Sequence, residues 1–199
     1  MKRTARRLAA ALSAVHVAAA AAQPAAVSPT LVVKAFVQGC IAHGGEPGAV
    51  TDWALSQGWE PVQGEQQHSM QELLQGDRGN VLQFPRSAGQ LLVAVGQAGR
   101  CVVWAEGQDG PSVRLALLRE LSALAGRGAR SRIDNDRTVE AGGLWRNLTQ
   151  WRYRASPYAP PLRLGAATTL GALPAAQALH LAPLGDGTNA AAPDAPDPR

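Results

Sequence analysis

The chain has 199 residues, 19 basic against 15 acidic, and is 46% hydrophobic, which suits one domain with a real core. Four of the basic residues, Lys2, Arg3, Arg6 and Arg7, crowd into the first seven positions, and the rest of the chain is balanced at fifteen of each sign. The overall positive charge is therefore no argument for nucleic-acid binding, which needs a lasting basic surface.

In chain order, the basic head is followed by a weakly apolar run from Leu8 to Ala22 that ends in small residues. This is the layout of a secretory signal peptide, with cleavage expected near Ala22–Gln23. The run has about fifteen residues, short of the roughly twenty that a bilayer span needs. Ser28-Pro29 then opens a helix, with Ser as N-cap and Pro in the first turn. Val33, Phe36, Val37 and Cys40 recur at helical spacing until Gly44-Gly45. "PGAVTDWALSQ" is a second short helix, Gly58 its left-handed cap, and Trp59 can fold back on its last turn. Residues 69–75 form a further helical turn.

The period then changes. "NVLQF" is a strand, and "QLLVAVG" and "CVVWAEG" flank a short turn at 97–100 as a hairpin. "DGPSVRLALLRELSALAG" is the best helix in the chain, with Leu117, Leu118, Leu121, Leu124 and Ala125 as its apolar stripe. "GRGARSRIDNDR" reads as a polar loop whose Asp134 and Asp136 could bind a cation, but it is too short for an EF-hand, and the two fit better as turn formers that pair with nearby arginines. "TVEAGGLWRNLTQWRYRA" and "LRLGAATTL" look extended, and "AAQALHLAPL" fits strand or helix. The uncharged stretch 164–184 is broken by Gly165, Gly171, Pro174, Gln177 and His180, so no membrane span is expected there. The end, "GDGTNAAAPDAPDPR", cannot bury enough apolar surface to offset its ordering entropy. The expected organisation is a signal peptide over 1–22, a single domain over 23–184 and a disordered tail over 185–199. The expected fold class is α+β, an antiparallel sheet with helices packed mainly on one face.

Two cysteines remain past the leader, Cys40 and Cys101. In an oxidising compartment an even count implies a disulfide. Such a bond would pin the first helix to the hairpin and close a loop of about 60 residues, worth roughly 4 kcal/mol in the chain-entropy model. The rivals are free thiols without a role, or a nucleophile at Cys40 beside His43. Cys40 lies toward the negative C-terminal end of its helix, where a thiolate is disfavoured. No HxxxH or CxxC marks a metal site, and His68 and His180 are isolated. No G-x-S-x-G, P-loop or G-x-G-x-x-G occurs, so neither a catalytic residue nor a cofactor is assigned.

The most suggestive stretch is "LWRNLTQWRYR" at 144–154. As a strand it places Arg146, Arg152 and Arg154 on one face and Trp145, Trp151 and Tyr153 on the other. Residues 127–154 hold seven arginines against Asp134, Asp136 and Glu140. These six arginine and aromatic side chains are the candidate site for a phosphate, carboxylate or glycan. The plainer reading has the aromatics in the core and the arginines in water. Asn147-Leu148-Thr149 matches the N-glycosylation pattern, which a short chain often does by chance.

The order "FVQGC", "WALSQGW" and "RCVVW" resembles a loose group of small exported bacterial proteins of unknown function, over residues 30–106. That resemblance implies a secreted, disulfide-linked domain and carries over no catalytic residue. The expectation is a periplasmic or secreted protein that acts by binding an envelope protein or an anionic ligand. A small hydrolase using Cys40 and His43 stands as the alternative.

Overall fold

The computed structural model describes residues 25–64, 67, 71–85, 87–88 and 90–185. The expected signal peptide, and the expected tail beyond Gly185, lie outside them. Strand β1 (Ala25–Ala26) leads into helix α1 (Pro29–Ala35), which continues as one π-helical turn over Phe36–Ile41. Helix α2 (Pro47–Ser56) and strand β2 (Glu60–Pro61) follow, then a 3-10 turn at Glu72–Leu74. Next come β3 (Gly79–Gln83), β4 (Ser87–Ala88), β5 (Leu91–Gly96) and β6 (Cys101–Gln108). Helix α3 (Gly110–Gly126) precedes β7 (Arg130–Ala141), β8 (Leu144–Arg154), β9 (Leu162–Thr169) and β10 (Ala175–Pro183).

Each helix begins where a side chain can take its orphan amides. Ser28 Oγ accepts from Leu31 N, Glu46 from Gly48 N and Ala49 N, and Asp109 from Ser112 N. Each also has a proline in its first turn. Helix α2 ends before Gly58, at φ 78°, after which Trp59 N bonds back to Ala54 O and its ring meets Trp53 at 6.0 Å.

Eight strands form one antiparallel sheet in the order β2-β3-β5-β6-β10-β9-β8-β7, while β1 and β4 pair separately in parallel. The last strand returns to the middle, between β6 and β9. Successive residues of β5 alternate between two apolar clusters. Leu91, Val93 and Val95 join the larger one with Val33 and Phe36 of the first helical segment, Val50 of α2 and Leu117 of α3. Leu92 and Ala94 join the smaller one with Leu74, Val81, Val102 and Trp104. Strand β5 is buried on both sides, which is why "LLVAVG" is an unbroken apolar run. The sheet side of the larger cluster is called the first face below, and the other the second face.

The chain departs from the expected polar loop at 126–137. Residues 130–141 are a strand, the outermost of the sheet on that side. Arg130 through Thr138 are all exposed, so no apolar alternation marks them. Their strand state comes from pairing with β8, from Arg130↔Arg154 to Ala141↔Leu144, across a turn of Gly142 and Gly143 at φ 58° and 71°. Two consecutive left-handed glycines are what a tight two-residue hairpin turn requires.

Candidate anion-binding face

The cysteine question is settled by geometry. Cys40, in the π-helical turn, and Cys101, the first residue of β6, are joined by a disulfide with a Cα–Cα distance of 5.6 Å. Both are fully buried, and no cysteine among the described residues is free. With both sulfurs bonded, Cys40 offers His43 no thiol to activate. His43 instead lies near Glu46, whose carboxyl is lowered by the Ala49 and Gly48 amides and, more weakly, by the His43 charge. Among the described residues no group of three or more His, Cys, Asp or Glu could hold a metal ion. No described helix is long and apolar enough to cross a membrane.

The six residues singled out on β8 separate into three environments. Trp151 and Tyr153 are buried in the larger cluster on the first face. Burial raises the Tyr153 phenol, although the Arg127 charge opposes this. Tyr153 lines a cleft of about 570 Å3 with Val37, Ile41, Leu124 and Ala129. Trp145, on the same face, is 57% exposed and borders a cleft of about 430 Å3 with Leu144, Leu170 and Leu173. Asn147 and Thr149, also on this face, bond Asp136 at 2.7 and 3.1 Å. The Asn147 bond and, more weakly, those from Thr149 and Arg114 hold the Asp136 carboxyl low against its partial burial. The glycosylation-like asparagine is thus a buried hydrogen-bonding group.

On the second face the arginines divide again. Arg146 is only 5% exposed. Its Nη1 donates to Ala176 O at 2.8 Å, its buried Nε has no partner, and burial lowers its pKa. Arg152 and Arg154 are exposed. Six residues of extended chain, about 20 Å, separate Arg146 from Arg152, so the three do not form one site.

Register instead gives Arg152 different neighbours. Arg152 lies directly opposite Arg132 of β7 on one side and Arg163 of β9 on the other. Arg163 is opposite Ala182 of β10. Leu181 pairs with Cys101, so Arg100, one residue earlier, lies alongside Ala182. Four arginines therefore fall on one line running across the strands from β6 to β7, interrupted by a single alanine. With strands about 4.8 Å apart, the line spans about 19 Å. Arg154 and Arg130, also opposite each other, add a second pair two residues further along.

Asp134, beside the β7 bulge, organises one end of the line. Its carboxylate accepts from Arg132 Nη2 at 3.0 Å and from Arg152 Nε at 3.1 Å. Slight burial opposes its ionisation, and the two arginines outweigh this and hold its pKa below the usual range. At the other end the Arg100 guanidinium bonds the Gln75 side chain. The neighbouring register line is uncharged: His180, Gly165, Gln150 and Asn135. A Cβ on Gly165 would fall inside the His180 ring, so the absence of a side chain there lets the imidazole lie flat over β9. Burial, then the charges of Arg100 and Arg163, push the His180 pKa down to about 4. It stays neutral at pH 7 beside the arginines.

This face can grip anionic oxygens through planar five-donor forks, in a setting where like charges already stand side by side. Sequence reasoning found Arg152 and Arg154 but missed Arg100, Arg130, Arg132 and Arg163. They lie in what read as a hairpin turn, a polar loop and a separate strand, and only register brings them together. No protein-family model matches the sequence, and no curated protein matches it either.

Proposed function

We propose that this is an exported protein that acts by binding, and that the second face of its sheet takes an anionic ligand. The observation that carries the reading is the line of Arg132, Arg152, Arg163 and Arg100. Like charges directly opposite on adjacent strands cost stability, so a ligand that neutralises them gains what the free protein lacks. Export is supported by the basic head and small-residue run of residues 1–22 and by the Cys40–Cys101 bond, which suits a periplasmic or secreted setting. The reading treats the chain past the leader as a single domain with helices α1 to α3 on the first face. The larger cluster, which draws on all three helices, supports this.

Calorimetric titration with pyrophosphate at low salt tests it. The Arg132→Glu/Arg152→Glu variant should bind at least roughly tenfold more weakly, since charge-assisted bonds contribute about 1.5–3 kcal/mol each. Arg119→Glu, on the exposed side of α3, should bind like the parent. Equal binding by all three proteins rejects the reading.

A further inference from the structure

Resting on that reading, we propose that the ligand of this face is a linear chain of phosphate groups, without bases, lying across the strands along the Arg100–Arg163–Arg152–Arg132 line. The first argument is length. A single phosphate covers the gap between two guanidinium groups, whereas the line spans about 19 Å at one strand spacing per step. A ligand that uses all four arginines must be extended and must repeat its charge.

The second argument is shape. A carboxylate can bridge two of these forks, as Asp134 does between Arg132 and Arg152, and a phosphate chain offers the same two free oxygens and one charge at every unit along its length. Arg132 and Arg152, and Arg152 and Arg163, stand directly opposite one another, the placement that bridging needs. Asp134 holds the Arg132 and Arg152 side chains in place, and with Asp77 over Gly96 beside Arg100 the four arginines still outnumber the carboxylates at the line. Ala182 keeps the floor low between Arg100 and Arg163, and neutral His180 on the next register line adds no competing charge to it.

The third argument separates phosphate polymers. Single-stranded nucleic acid needs aromatic platforms for its bases. The aromatic side chains of β8 are on the opposite face, and Trp104 on the second face is 8% exposed and sits in the smaller cluster. A lipid surface calls for apolar groups beside the charges. The exposed Trp145, Leu170 and Leu173 belong to the other end of β8.

The test compares orthophosphate, tripolyphosphate and long-chain polyphosphate on the full, disulfide-bonded chain at low salt. Affinity should rise with length, by roughly tenfold or more from tripolyphosphate to the long chain. Arg100→Gln should weaken the long chain several-fold and leave tripolyphosphate within about a factor of two, since three arginines remain for the short ligand. Arg132→Gln, at the other end, should weaken both ligands, since it removes one of the three contiguous arginines that a short chain uses, and the different patterns of the two variants guard against a folding defect in either. If the long chain binds no tighter than tripolyphosphate, or if neither end variant weakens it, the inference falls while the anion-binding reading stands. If polyglutamate or single-stranded DNA binds as tightly as polyphosphate, the assignment to a base-free phosphate chain is wrong. If no phosphate species binds, both fall.

Discussion

His180 is a cation kept from forming. It is buried against Gly165 and lies within the fields of Arg100 and Arg163, all of which favour the neutral ring. The unfolded chain takes up a proton at its His180 as pH falls through about 6.5, while the folded chain does not until about 4. Stability from this residue is therefore complete above pH 6.5 and is lost between 6.5 and 4, by about 3 kcal/mol at the lower limit. Asp134 and Asp136 lose their contribution in the same direction but further down: both have lowered pKa values because their charged forms are held, so it goes as pH falls through and below the ordinary carboxylate range. In the same pocket, Gly165→Ala should cost about 2 kcal/mol in the parent and nearly nothing in a His180→Ala background. The double variant should also lose the stability slope between pH 6.5 and 4. Urea melts of the four proteins at pH 7 and pH 4.5 measure both effects, and an additive pair with an unchanged slope contradicts this account of the pocket.

At the scale of elements, the disulfide and the β7–β8 hairpin explain how the parts are tied. The Cys40–Cys101 bond spans 61 residues, including α2 and the hairpin of β3 and β5. Cys40→Ser/Cys101→Ser should lose about 4 kcal/mol, a fall in Tm on the order of 10 °C, visible by calorimetry. A loss below about 1 kcal/mol would mean that the packing of Phe36 and Val33 on the sheet carries that end of the fold without the bond. The helices were legible because caps and prolines are local signals: Ser28-Pro29 and Asp109 with Pro111 announce their own starts. Strand β7 was not legible, since nine exposed residues carry no period and only the Gly142-Gly143 turn hints at a hairpin. The same limit hid most of the arginine line. Alternation along β8 is a property of one segment and was readable. The identity of the residue opposite Arg152 depends on a bulge between Ile133 and Asn135 and on the return of β10 to the sheet centre, which are properties of the whole sheet.

For the whole molecule, the sheet separates two kinds of surface. The larger cluster takes the helices, the disulfide, Trp151 and Tyr153. The second face is covered by Leu74 and its neighbours over β3, β5 and β6 and bears arginines over β7, β8 and β9. On the proposed reading an anion would meet only the arginine-bearing part of the second face, so ligand should raise Tm by mass action without altering the folded structure. The most direct measurement is an NMR titration of the arginine Nε–Hε signals of the intact protein with tripolyphosphate. The account predicts saturable shifts at Arg132, Arg152 and Arg163, the three contiguous arginines, with a common Kd, and none at Arg119 on α3. Uniform small shifts at every exposed arginine, without saturation, would contradict it and reduce the line to a solvated row of charges.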